Sequence, residues 1–168
     1  MAGPVRMIGV IGEQECSAET AAAAYAVGAG IARRGGVLVC GGMGGVMEAA
    51  ARGAREAGGL TVGILPGTDR ASANPFIAIP IPTGMGEGRN VLVVRASQAV
   101  IAIGGSYGTL SEIAFALKMG VPVVGLRTWR LAKDDPTAPP LPDPIVRAAT
   151  PEQAVELAWR LSERAPGP

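Results

Sequence analysis

The chain contains no histidine. That absence excludes histidine-based triads, histidine general bases and histidine metal ligation at once. Cysteine is scarce: Cys16 and Cys40 are the only two, and their spacing fits no metal or redox motif. Cys40 closes an apolar run and reads as a small core residue, whereas Cys16 lies in a loop and reads as an inert, partly buried thiol. Lysine is confined to Lys118 and Lys133, which rules out a P-loop with its phosphate-gripping lysine. The net charge of +1 comes from scattered basic residues and leaves no electrostatic footprint for nucleic acid. No apolar run approaches the roughly 18 residues of a membrane helix, and the N-terminus shows no secretory pattern, so a cytoplasmic protein is expected. No metal site is expected. The chemistry is left to Glu, Asp, Arg, hydroxyls and backbone amides.

What the chain has in abundance is glycine, 25 residues of 168, on a background that is 48% apolar. That length reads as one domain, residues 1–168, large enough to bury roughly 70% of its unfolded surface. Strand-like apolar runs at 7–11, 37–40, 60–65, 99–103 and 121–126 alternate with helix-like segments at 17–34, 46–57, 86–96 and after Thr109. A short edge strand is expected at 76–79, since prolines 75, 80 and 82 would disrupt a central one. Residues 132–144 hold five prolines and read as a surface excursion. Thr150-Pro151-Glu152-Gln153 is a capping box with proline at the first helical position, opening a last helix to about Arg164. Continuous apolar strands joined by helices predict a doubly wound, mostly parallel α/β sheet with helices on both faces.

Ligands of such folds bind beyond the carboxyl ends of the strands. Three glycine-bearing turns lie there: Gly12 to Ser17, Gly41-Gly42-Met43-Gly44-Gly45, and Gly104-Gly105-Ser106-Tyr107-Gly108-Thr109. None is the G-x-G-x-x-G dinucleotide fingerprint, and no acid ends the second strand, so NAD and ATP are not the expected ligands. A glycine-rich strand-to-helix turn presents free N–H groups and the positive end of a helix, which suits a phosphate. Glu112 stands beside the third turn as the only carboxylate between Glu87 and Asp134. Thr109-Leu110-Ser111-Glu112 also fits a capping box, in which Glu112 would accept an N-cap amide. Arg89, in the first turn of its helix, opposes the macrodipole unless a bound anion or Glu87 compensates it. Asn90 either reaches the same ligand or is an exposed amide. Tyr107 either stacks on a base or packs on a neighbouring subunit.

Taken in order, Gly41-Gly42-Met43-Gly44-Gly45-Val46-Met47, Met85-Gly86-Glu87-Gly88-Arg89-Asn90 and Gly104-Gly105-Ser106-Tyr107-Gly108-Thr109-x-x-Glu112 resemble the LOG group. These are cytokinin-activating phosphoribohydrolases once labelled lysine decarboxylases. The resemblance spans about residues 5–127 and is strongest to a bacterial branch similar to molybdenum cofactor carrier proteins. It implies a Rossmann-like fold and a homodimer or higher homo-oligomer. It also implies a pocket for a nucleoside 5′-monophosphate or a similar phosphorylated ligand, with Arg89 and Glu112 at the catalytic positions. No cofactor is required, but a bound nucleotide, phosphate or molybdenum cofactor would suit the pocket. Three departures set this chain apart from the enzymes: Ile103 where they carry proline, Asn90 where they carry lysine, and no histidine in the arginine motif. Binding of a phosphorylated cofactor is therefore the leading expectation. Cleavage of a nucleoside 5′-monophosphate to base and ribose 5-phosphate is the alternative.

Overall fold

The computed structural model describes residues 5–140 and 142–163. Seven parallel strands form one sheet in the order β4-β3-β2-β1-β5-β6-β7. They are β1 (Met7–Gly12), β2 (Val37–Cys40), β3 (Leu60–Leu65), β4 (Ile79–Pro82), β5 (Ala99–Ile103), β6 (Val123–Leu126) and β7 (Val146–Arg147). Among the described residues five α-helices accompany them: α1 (Ala18–Arg33), α2 (Val46–Glu56), α3 (Asn90–Arg95), α4 (Tyr107–Met119) and α5 (Pro151–Ser162). The expected doubly wound α/β fold is present, and every strand pair among the described residues is parallel.

Strand alternation separates two cores. Ile8, Val10, Leu38, Cys40, Ile101 and Ile103 face α1, α2 and α5, while Ile11, Val39, Val62, Val100 and Ala102 face α3 and α4. Burial on both faces explains why these strands read as unbroken apolar runs. The α1–α2 layer is drawn tight by two glycines. A Cβ on Gly28 would lie 1.9 Å from the Ala50 carbonyl oxygen, and one on Gly53 would lie 2.0 Å from that of Tyr25.

Several boundaries differ from the sequence expectation. The edge strand is Ile79-Pro80-Ile81-Pro82, not 76–79; an edge needs ladder donors on one side only, so it tolerates both prolines. The segment 86–96 divides into a 3-10 helix, Gly86–Arg89, and then α3. Helix α4 begins at Tyr107, earlier than Thr109. Strand β7 was not anticipated; it follows the proline-rich excursion, which is largely irregular as expected. Ser17 and Thr150 cap α1 and α5, accepting from Thr20 N–H and Gln153 N–H at 3.1 Å each. The predicted end of the last helix at Arg164 lies outside the described residues.

Candidate functional site

The chain winds outward from β1 in one direction through β2, β3 and β4, then returns to place β5 on the other side of β1. The carboxyl ends of β1 and β5, where Gly12 pairs with Ile103, therefore form the topological switch point. A cavity of ≈ 340 Å³ opens there. It gathers Gly12, Arg89, Asn90, Ser106, Gly108, Thr109 and Glu112 from the sequence-predicted set, and adds Glu13, Gln14, Met43, Met47, Pro66 and Glu87. A larger groove of ≈ 620 Å³ runs between α1 and α2. Three of its polar side chains already satisfy one another: Tyr25 donates to Glu56 at 2.6 Å and Arg52 pairs with Glu56 at 2.8 Å. The chemistry concentrates at the switch point.

Arg89 reaches the cavity from the end of the 3-10 helix. Its Nε donates to the Ile64 carbonyl at 2.9 Å and its Nη2 to the Gly41 carbonyl at 3.4 Å, while Nη1 donates to Asn90 Oδ1. Among the described residues no carboxylate, Glu87 included, forms an ion pair with it. The guanidinium is thus held by neutral acceptors and keeps its charge available to an anion. Gly41 leaves room for it, since a Cβ there would lie 2.7 Å from Nη2. Asn90 is buried, not an exposed amide, and its Nδ2 donates to Ser111 Oγ at 3.1 Å, tying Arg89 to α4. A lysine at this position would repel the guanidinium where asparagine accepts from it.

Helix α4 points its N-terminus at the cavity. Ser106 is the N-cap residue and makes no side-chain cap bond, so the first-turn amides at 107–109 lack intrahelical acceptors. Thr109 lies in that first turn, 2% exposed, and its hydroxyl has no hydrogen-bond partner. Because α4 starts early, Glu112 falls in the second turn and the Thr109–Glu112 capping box does not form. Glu112 is 7% exposed and makes no hydrogen bond among the described residues. Burial pushes its carboxyl up to about 8, with the nearby Arg89 charge only partly opposing the shift. At neutral pH it is mostly a neutral acid beside a cation.

The glycine turns serve the chain's own packing as well. Glu13, the first residue past β1, accepts the Val46 N–H through its carbonyl at 3.0 Å and the Gly105 N–H through Oε2 at 3.2 Å. A Cβ on Gly45 would lie 2.3 Å from that Glu13 carbonyl, one on Gly44 3.2 Å from the Gln14 carbonyl, and one on Gly12 2.6 Å from Val46 Cβ. Gly42, at φ 76°, turns its N–H to Cys40 Sγ at 3.4 Å. Gly104 and Gly105 have φ of 57° and 111°, and a side chain at 105 would meet Thr109. Tyr107 is 79% exposed and is not among the residues lining the cavity; its ring lies 5.7 Å from that of Trp129, whose Nε1 donates to the Ser106 carbonyl at 3.2 Å. Cys40 is buried, its thiol pushed up to about 12 by desolvation, and burial with the adjacent Glu13 raises that of Cys16. Both environments disfavour the thiolate. Glu13 and Pro66 escaped the sequence reading; the one signal for Glu13 was its place directly after a strand-terminal glycine.

Sheet order, switch-point cavity and helix N-terminus together define a Rossmann-like α/β protein with an anion-suited site. The chain belongs to the SLOG cluster4 family, whose sequence profile matches residues 5–155. An uncharacterised protein of Archaeoglobus fulgidus is 54% identical over 120 residues, which is 71% of this chain and 79% of that protein. Among solved structures, the molybdenum cofactor binding protein of Rippkaea orientalis is 34% identical with a TM-score of 0.82, covering 95% of this chain and 99% of that one. The molybdenum cofactor carrier protein of Chlamydomonas reinhardtii is 32% identical with a TM-score of 0.81, covering 94% and 98%. No helix among the described residues is long and apolar enough to cross a membrane.

Proposed function

We propose that this chain binds a phosphorylated cofactor of the molybdopterin class, or a nucleoside 5′-monophosphate of similar outline, in the switch-point cavity. The observation that carries the reading is the Thr109 hydroxyl, sealed from solvent without a partner, beside open α4 amides and an Arg89 that no carboxylate neutralises. A ligand phosphate supplies the acceptor oxygens and negative charge that this set lacks. Arg89 binds the phosphate, Asn90 holds Arg89 in place, and Ser106, Gly108 and Thr109 contribute donors. Gly104 and Gly105 shape the turn on β5, and Gly41, Gly42, Gly44 and Gly45 bring the second turn close enough to wall the cavity. Tyr107, paired with Trp129, offers a face for a pterin or base. The likeness to two molybdenum cofactor binding proteins at above 30% identity supports the cofactor class. The reading includes a homo-oligomeric protein, which sedimentation analysis tests.

Thr109→Val provides the test. It replaces an unsatisfied buried hydroxyl with a methyl, so the protein is expected to gain about 1 kcal/mol of stability while losing affinity for molybdopterin and AMP. Unchanged affinity for both ligands in calorimetry would refute the assignment.

A second reading is favoured by Glu112. An unpaired acid inside the cavity, near Arg89, is suited to orienting ribose hydroxyls or an attacking water as a glycosidic bond breaks. Free base released from nucleoside 5′-monophosphates, and abolished by Glu112→Gln and by Arg89→Ala, would establish phosphoribohydrolase activity. Binding without release would leave a carrier.

A further inference from the structure

Glu13 places a carboxylate inside the site that the α4 N-terminus and Arg89 prepare for an anion. Its Oε2 accepts the Gly105 N–H at 3.2 Å. Its Oε1 approaches to 3.0 Å of the point where a Gly104 Cβ would be, so a side chain there would crowd the carboxylate. Among the described residues no cation pairs with it, and the Gly105 amide is its only side-chain hydrogen-bond partner. Its backbone is tied to α2, the carbonyl accepting the Val46 N–H at 3.0 Å. The side chain lines the same cavity as Glu87, Glu112 and Arg89.

A carboxylate oxygen on a backbone N–H at a glycine turn makes the contact that a phosphate oxygen makes. We propose that Glu13 is a resident anion that competes with the ligand's phosphate for the β5–α4 turn and thereby sets affinity for phosphorylated over unphosphorylated ligands. The proposal rests on the phosphate-binding reading of this cavity. With the cavity empty, Glu13 satisfies the Gly105 amide. When a phosphate enters, the Glu13 side chain withdraws toward solvent, to which it is already partly exposed. The ligand then gains the amide but must displace a charged hydrogen bond, so binding is weaker than the bare turn allows and release is correspondingly easier. Because the competition is between anions, it acts on the phosphate and leaves the base or pterin untouched.

The experiment is isothermal calorimetry of AMP, molybdopterin and adenosine against the full chain and its Glu13→Gln and Glu13→Ala variants. Glutamine keeps the shape and removes the charge, while alanine empties the turn, so a folding defect in one leaves the other as the reporter. Both variants are expected to bind AMP or molybdopterin at least tenfold more tightly than the parent, with adenosine affinity unchanged. Binding of a phosphorylated ligand by the parent, with equal or weaker binding by both variants, would overturn the competition and make Glu13 a ligand contact or a bystander. It would leave the phosphate-binding reading intact. No binding of either phosphorylated ligand by parent or variants would overturn that reading and the proposal with it.

Discussion

Glu112→Gln is the most informative single substitution. In the unfolded chain this carboxyl ionises near 4.5, and in the folded protein burial raises it to about 8. The folded state therefore binds the proton more tightly, so between these values stability falls as pH rises. The contribution is intact below about pH 4.5, is lost progressively upward, and levels off above about pH 8. At about 1.4 kcal/mol per pH unit above 4.5, retaining the proton at pH 7 costs about 3 kcal/mol. Glutamine has the same outline and no proton to retain. The variant is expected to be more stable by up to that amount at pH 7, equal to the parent near pH 4.5, and furthest ahead at pH 8. For a chain of this length, about 3 kcal/mol corresponds to roughly 6–12 °C in Tm. Thermal and urea unfolding of both proteins across this pH range measures the divergence. Parallel profiles would mean that the carboxyl ionises normally, and the account of a neutral acid beside Arg89 would be wrong.

Arg89→Ala is expected to weaken AMP and molybdopterin binding by roughly tenfold or more, the worth of one charge-assisted contact, with little effect on adenosine. Asn90→Lys should weaken the same ligands, because Arg89 loses its acceptor and gains a like charge; loss of affinity with an unchanged fold by circular dichroism checks this. Affinity for a phosphorylated ligand should fall roughly tenfold between pH 7 and 9, as Glu112 ionises beside the phosphate, and the fall should be absent in Glu112→Gln. Gly53→Ala should destabilise by at least about 1–3 kcal/mol in urea unfolding, since its Cβ would overlap the Tyr25 carbonyl and force α1 and α2 apart.

Much of the architecture was legible because the parallel sheet is buried on both faces. Runs such as Val37-Leu38-Val39-Cys40 and Ala99-Val100-Ile101-Ala102-Ile103 must be apolar throughout, so they declare themselves without tertiary information. Local capping chemistry likewise marked the starts of α1 and α5 at Ser17 and Thr150. Helix α4 was misplaced for the converse reason. Its N-cap Ser106 makes no side-chain bond, while Thr109-x-x-Glu112 imitates a capping box that cannot form because Thr109 already lies inside the helix.

The sequence by itself determined the α/β winding, the three glycine turns at strand ends, and Arg89 and Glu112 as two charged candidates for the site. These follow from periodicity and from the scarcity of other chemistry. Only the tertiary structure decided what the residues do to one another. Strand order set β1 against β5, so Glu13 from one loop came to lie on the Gly105 amide of another. Packing depth turned Glu112 into a neutral acid and Asn90 into the acceptor that holds Arg89. Such contacts join residues up to 92 positions apart, and burial and proximity across that distance are properties of the folded arrangement.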